Sequence, residues 1–326
     1  MKRVILDVDT GIDDALGILL ALKSPELKLE GITTVVGNVS VTKTTRNTLK
    51  VLELAGAKDI PVAKGSKKPL SKRMPEPILI NGKILSGYSY WHGKDGLANT
   101  NLPSPAIKPY PKPAEDFLIE KIKSCKEKIT LITTGPLTNI AKAILKDPNI
   151  VEVVDEHFLM GGCYEVSPYA CGNVSPVAEF NIWFDPNAAK IVFNSGLRII
   201  AVGLDVAHDP STWLRPSFLE KFQASRTQIK ELIFQLCKYI IEVWNGPLYD
   251  PLTVAIAIDK SIASMKKLPV QVITRGKFVR GMTIADKRSS WERESRLEEK
   301  WPEINVCHQV DGKKFLDLFI ERLSLY

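Results

Sequence analysis

Short apolar runs of strand length alternate with stretches of helical periodicity along most of this chain, and that alternation restricts the fold more than any other feature. Val4-Ile5-Leu6 is a strand-length run that ends in acidic residues and Gly11, and residues 15–22 follow as an unbroken apolar stretch long enough for a buried helix. Residues 29–36 read as a second strand ending at Gly37-Asn38, after which Val41, Thr45, Thr48, Leu49, Leu52 and Ala55 recur at helical spacing. Residues 60–63 and 129–133 read as the third and fourth strands, and Gly135-Pro136 opens a helix through Leu137, Ile140, Ala141 and Ile144. Residues 158–160 and 198–204 supply further strands, with a helix over 187–193 between them. Strands that alternate with helices predict a parallel sheet covered on both faces through right-handed crossovers. The expected fold is therefore α/β, with an open, mostly parallel central sheet flanked by helices.

Nine of the 21 prolines fall between Pro61 and Pro113, in a stretch also rich in Gly, Lys and Asn, which predicts long loops there. Further on, the pattern predicts helices within 218–244, a hairpin from residues 270–273 and 278–284, a densely charged, solvated segment over 286–300, and a helix over 315–323. A chain of 326 residues can form one large domain or two, and the lack of a repeat or low-complexity linker favours one.

Several function classes are excluded by composition. The longest apolar run, residues 15–22, is too short to span a bilayer, and Asp7 and Asp9 cut the N-terminal apolar stretch too soon for a signal peptide, so a cytoplasmic protein is expected. Five scattered cysteines without CxxC spacing argue against a disulfide framework and a structural zinc site, a Cys163–Cys171 bridge included. The net charge of +7, from 44 basic and 37 acidic residues, is spread without an aromatic-interleaved stripe, so nucleic acid is not an expected partner.

Asp7, Asp9, Asp13 and Asp14 fall within eight residues at the carboxyl end of the first strand, where open α/β sheets bind their ligands. Two acids there suit a helix N-terminus, but four repel one another unless a cation joins them. An EF-hand loop does not fit, because Ile12 and Ile18 stand where its glycine and bidentate glutamate belong. Asp7-Val8-Asp9 partly resembles the DxDxT motif of haloacid-dehalogenase-like phosphatases, with Gly11 in the threonine position. Asn38, Thr134 and Gly161-Gly162 also end predicted strands and would face the same crevice. Hard oxygen ligands without a His or Cys set favour Ca²⁺ or Mg²⁺ over zinc, and the mixture of carboxylates and carbonyls leans toward Ca²⁺. The residues alone thus predict a cation-assisted hydrolase.

DVDTGIDDA at 7–15, ITTVVGN at 32–38, HGKDGL at 92–97, TTGPLTNIA at 133–141, LMGG at 159–162 and AEFNIWFDPNAA at 178–189 resemble, in collinear order, the inosine-uridine-type nucleoside hydrolases. GLDV at 203–206, YDPLTVA at 249–255 and RGMTIAD at 280–286 extend the resemblance over nearly the whole chain, as one domain spanning residues 1–326. It implies hydrolysis of the N-glycosidic bond of ribonucleosides to ribose and free base, a bound Ca²⁺, and a homodimer or homotetramer. Carried over by position, Asp9, Asp14, the Thr134 carbonyl and Asp250 would hold the metal, and Asp9 would act as general base on the attacking water, with Asp7 in a supporting part. Asp13, Asn38, Asn181 and Asp250 would hold the ribose 2′- and 3′-hydroxyls, Asn173 and Glu179 the 5′-hydroxyl, and Met160 would pack beneath the sugar.

This chain departs from that family in two places. Tyr249 stands where the pyrimidine-active and nonspecific branches carry a histidine that helps protonate the leaving base, whereas the purine-specific branch has a stacking tryptophan there. Tyr249 could stack in the same way, which tilts the expectation toward purine nucleosides. His92 is then the remaining candidate base contact or proton donor, with Trp91 and Trp244 as candidate pocket walls. The second departure is the segment 163–172, longer than the usual connection from LMGG. His157, His208 and His308 match no ligand position and read as structural. Two rival readings are a DxD-type, Mg²⁺-dependent phosphatase that uses Asp7 as nucleophile, and a noncatalytic nucleoside-binding protein that lost turnover through Tyr249.

Overall fold

The computed structural model describes residues 1–71, 74, 79–80, 83–84, 89–223, 227–289, 292 and 300–326. Strand β1 (Lys2–Val8) leads through residues 9–11 into helix α1 (Ile12–Leu22), each longer than the apolar run that marks it. Residues Ile12 through Ala21 of α1 are all buried, which explains an apolar run without an amphipathic stripe. β2 (Leu27–Thr34) precedes α2 (Val41–Leu54), whose buried Val41, Thr45, Thr48, Leu49 and Leu52 form the expected face. β3 (Val62–Lys64) is followed by the proline-rich stretch, where β4 (Leu79–Ile80) and β5 (Lys83–Ile84) form a small separate antiparallel pair. The remaining strands are β6 (Ile129–Thr133), β7 (Val154–Met160), β8 (Ile199–Val202), β9 (Ala263–Val272), β10 (Thr283–Ala285) and β11 (Glu303–Val310).

Among the described residues, nine strands form one sheet in the order β10-β9-β11-β8-β7-β6-β1-β2-β3. All pairings from β3 across to β11 are parallel, and β9 runs antiparallel to both β11 and β10. This is the expected α/β architecture with one antiparallel margin, formed by the predicted hairpin. Side chains of β1 alternate between the two faces: Val4, Leu6 and Val8 join one apolar core, and Ile5 joins the other.

The chain winds outward from β1 to β3 and then returns to place β6 on the other side of β1, so the strand order reverses at β1. Asp7 is level with Thr33 of β2 and Thr133 of β6, so all three strands end together and open a crevice at their carboxyl edge. The four-aspartate segment emerges at this switch point.

Three elements of eight or more residues lie outside the sequence expectation. The helix Ala114–Ser124 follows Pro113 and buries Ala114, Phe117, Leu118 and Ile122, a helical pattern masked by the prolines before it. β11 is an interior strand between β9 and β8. The helix Tyr249–Ile258 is buried from Asp250 through Ala257, so it too lacks a stripe. Most of the charged segment 286–300 lies outside the described residues, but Asp286 is buried and paired with Arg288 at 2.7 Å, which corrects the solvated reading at that position. The five cysteines are unbridged, and no helix among the described residues is long and apolar enough to cross a membrane.

Phe117 docks the unanticipated helix onto β2 where Gly31 leaves room, since a methyl on Gly31 would fall 2.3 Å from Phe117 Cζ. Phe117 is fully buried. Phe117→Ala is expected to lower unfolding free energy by about 3–5 kcal/mol, the usual cost of emptying a packed aromatic site. Chemical denaturation measures this, and a loss below about 1 kcal/mol would show that the helix is not part of the core.

Candidate active site

The end of β1 and the first turn of α1 carry Asp9, Asp13 and Asp14, and the helix Tyr249–Ile258 brings Asp250 to them. The two helices lie close at Gly17, where an added methyl would sit 3.5 Å from Val254 Cγ2 and 3.7 Å from the Asp250 carbonyl carbon. Carboxyl oxygens of Asp13, Asp14 and Asp250 gather within 4.8 Å of one another, all three residues buried. Asp9 adjoins them, fully buried, and is approached closely by Gly37, where a methyl would fall 1.9 Å from its Oδ2. The resemblance implies Asp9, Asp14 and Asp250 as the carboxylate ligands. Asp13 joins Asp14 and Asp250 in the trio, and Asp9 lies beside it.

Hydrogen bonds hold Asp9 and Asp14 in place. Asp9 Oδ2 accepts from the Asn38 backbone N–H at 2.7 Å. Asp14 Oδ2 accepts from Gly11 N–H at 2.8 Å and Asn38 Nδ2 at 3.2 Å, and its Oδ1 accepts from the Thr134 hydroxyl at 2.7 Å. Asp9 Oδ1 and Asp13 Oδ1, in contrast, are buried without a hydrogen-bond partner. Burial is the largest cause raising the pKa of all four acids, and repulsion among them adds to it for Asp9, Asp13 and Asp250. Unpartnered buried oxygens within a set of mutually repelling hard donors fit a divalent cation with oxygen coordination.

Asp7 belongs to a different environment. It lies within β1, its Oδ1 accepts from Thr33 Oγ1 at 2.5 Å and Asn139 Nδ2 at 2.7 Å, and burial pushes its pKa up to about 7. It lies outside the lining of the cavity described next, and the engagement of its Oδ1 by Thr33 and Asn139 suits a supporting part.

A cavity of about 420 Å³ opens above the carboxylates. Its floor is polar: Asp13, Asn38, Thr134, Asn181 and Asp250, with Met160. Asn181 Nδ2 donates to the Thr134 carbonyl at 2.9 Å and the Met160 carbonyl at 3.2 Å, so the floor is tied to the ends of β6 and β7. Glu179 caps the helix Phe180–Phe184, accepting from the backbone N–H groups of Gly162, Asn181 and Ile182. Burial raises its pKa to about 7 against those three bonds. Asn173 stands at the exposed rim, where its Oδ1 accepts from Phe180 N–H at 2.9 Å.

The opposite wall is aromatic: Trp91, His92, Trp244 and Tyr249. His92 Nδ1 accepts from Ile12 N–H at 3.1 Å, so Nε2 carries the proton of the neutral ring, and burial lowers its pKa to about 3. Gly11 is required beneath it, because a methyl there would fall 2.3 Å from His92 Nδ1. Trp244 meets His92 edge-on at 5.0 Å and donates from Nε1 to the Trp91 carbonyl at 2.8 Å. The structure thus brings every sequence-assigned site residue except Asp9 and Asp14 to the lining, and places those two among its supporting acids. Val174, Phe180, Val243 and Asn245 join the lining unforeseen. His208, read as structural, lies 3.4 Å from the Tyr249 hydroxyl. Its position two residues past GLDV was the one available signal.

A carboxylate cluster at the switch point, between a polar floor and an aromatic wall, suits an enzyme whose substrate joins a polar group to a flat ring. Residues 4–317 match the inosine-uridine preferring nucleoside hydrolase family, and the chain belongs to it, a family that cleaves the N-glycosidic bond of ribonucleosides. The probable uridine nucleosidase 2 of Arabidopsis thaliana is 37% identical over 333 aligned positions, covering 99% of this chain and 97% of that protein. The pyrimidine-specific ribonucleoside hydrolase RihA of Salmonella typhimurium is 34% identical, covering 99% and 98%. Among solved structures, the purine-preferring ribonucleoside hydrolase from Gardnerella vaginalis superposes with a TM-score of 0.87 at 32% identity, covering 99% of this chain and 98% of that one. The plant nucleoside hydrolase PpNRh1 gives 0.86 at 33%, covering 100% and 99%.

A carboxyl whose folded pKa lies above its unfolded value stabilises the fold while protonated, and that contribution is lost as pH rises through the folded value. For Asp13, within the carboxylate cluster, the window runs from 3.8 to about 7. Cation binding opposes the loss, because ligands bind deprotonated. The gap in melting temperature between calcium-loaded and chelated protein is therefore expected to widen from pH 5 to pH 8. A gap that stays flat or narrows would show that no cation relieves these acids.

Proposed function

We propose that the whole chain, residues 1–326, acts as one domain that hydrolyses ribonucleosides to ribose and free base with Ca²⁺ as cofactor and a preference for purine nucleosides. The observation that carries this reading is the convergence of Asp13, Asp14 and Asp250, with the unpartnered Asp9 Oδ1 beside them, at and beneath the floor of an aromatic-walled cavity. Asp9, Asp14, Asp250 and the Thr134 carbonyl would hold the cation. Once bound, Ca²⁺ would offset the repulsion among the acids and render a water molecule more acidic.

Asp9 takes a proton from the attacking water as that water bonds to the anomeric carbon, and the bond from this carbon to the base nitrogen breaks with its electron pair leaving on the base. Asp13, Asn38, Asn181 and Asp250 fix the ribose 2′- and 3′-hydroxyls, Asn173 and Glu179 hold the 5′-hydroxyl, and Met160 packs beneath the ring. These contacts hold the sugar as positive charge develops on it. A 5′-phosphate is disfavoured by the negative charge of Glu179 when ionised. At neutral pH His92 is an uncharged donor through Nε2, so it stabilises the departing base by hydrogen bonding rather than as an imidazolium acid.

The preference for purines rests on Tyr249, which lines the cavity with Trp244 at 6.4 Å and offers aromatic surface where a histidine acid would stand in the pyrimidine-active branches. Release of reducing sugar from inosine, adenosine, guanosine, uridine and cytidine, with and without prolonged chelation, tests reaction, metal and base together. Chelation should abolish turnover and purines should lead. Equal or faster pyrimidine turnover would remove the stacking role, and tight nucleoside binding without release would support the noncatalytic reading. Asp9→Asn should lower kcat by about 10²–10⁴-fold, the usual worth of a general base, and a variant that keeps its rate would exclude Asp9 from that role.

A further inference from the structure

His208 lies outside the cavity lining yet touches the residue on which base recognition turns. It ends the helix Leu204–Ala207 beyond β8, its Nε2 lies 3.4 Å from Tyr249 Oη, and the two rings meet edge to face with centroids 5.8 Å apart at 67°. Its Nδ1 faces Cys171 Sγ at 3.4 Å. Cys171 belongs to the lengthened segment 163–172, and Cys163 and Ala170 of that segment pack in the same small apolar cluster as Tyr249. Tyr249 is therefore backed by His208, His208 by the extra chain, and the other side of Tyr249 leans on Trp244.

We propose that His208 is a positioning residue for base recognition: through its contact with the Tyr249 hydroxyl and its edge-on packing it fixes the ring against which the nucleobase lies. This rests on the reading of the cavity as a nucleoside site. A tyrosine held only near its Cα keeps rotamer freedom that a bound base must remove, whereas one fixed at its far end presents its face before the ligand arrives. At 3.4 Å the polar contact is long, so its hold comes jointly from the hydrogen bond and the ring edge. Burial lowers the pKa of His208, which keeps the ring neutral, with one nitrogen to donate and one to accept. Segment 163–172 thereby acquires a part in the site: it closes the far side of the imidazole.

The test is a double-mutant cycle between His208→Leu and Tyr249→Phe, with His208→Gln as the conservative replacement that keeps a polar side-chain end. Each single variant should lower kcat/KM for inosine about 10-fold, mainly by raising KM, because the wall binds ground and transition states alike. The double variant should lose about 10-fold rather than about 100-fold, since both changes break one contact, and His208→Gln should stay within about 3-fold of the parent. Multiplicative losses, a fall confined to kcat, or a His208→Gln variant as poor as His208→Leu would overturn the proposal. A parent protein that neither cleaves nor binds inosine would sink the nucleoside reading alone. The pair is then judged by thermal unfolding of the same proteins, where additive losses in melting temperature would dissolve it.

Discussion

Four carboxylates buried within reach of one another form the constraint on which the rest of this structure depends. Asp9, Asp13, Asp14 and Asp250 are each at most 4% exposed. Taking even one ionised carboxylate out of water costs several kcal/mol, and crowding like charges adds to that. The fold answers with donors on all sides: the backbone of Gly11 and Asn38, the Thr134 hydroxyl and the Asn38 amide. These donors do not reach every oxygen, and a divalent cation is the natural partner for those that remain. The reversal of strand order at β1 makes the arrangement possible, since it sets the ends of β1 and β6 side by side and leaves a gap above them.

Much of this was legible in the sequence, and what was not has identifiable physical reasons. β1, α1, β2 and α2 announce themselves because apolar periodicity, turn residues and acidic punctuation agree within a short span. The ordered motifs then located the polar floor of the cavity, including Asn181, and also Glu179, whose place depends on a helix cap that no periodicity reveals. The helix Tyr249–Ile258 was missed because burial on all sides erases the amphipathic stripe on which helix recognition relies. β11 was missed because its place in the sheet interior depends on pairing with β8 and β9, both distant in sequence.

His208 illustrates a different limit. A side chain that acts through another residue carries no ligand motif of its own, and its importance becomes visible only when the ring it supports can be seen. The same holds for Asp13, assigned to the sugar by position but found with Asp14 and Asp250 in one cluster. A carboxylate that serves a cation and one that serves a hydroxyl are the same residue type at the same end of a helix. Only distance separates the roles.

The floor and the aromatic wall are fastened to the protein by different means. Asp9, Asp14 and Thr134 hang from strand ends and the first turn of α1, with Asn181 of the helix Phe180–Phe184 tied to them, whereas Trp244, Tyr249 and Trp91 hold each other through the Trp244 Nε1 bond and a tilted ring contact between helix ends. Changes at Trp91 or Trp244 can accumulate without disturbing the hydrogen bonds that hold the carboxylates. Lineages built on such a frame can exchange one nucleobase for another over generations while the bond-breaking apparatus stays as it was.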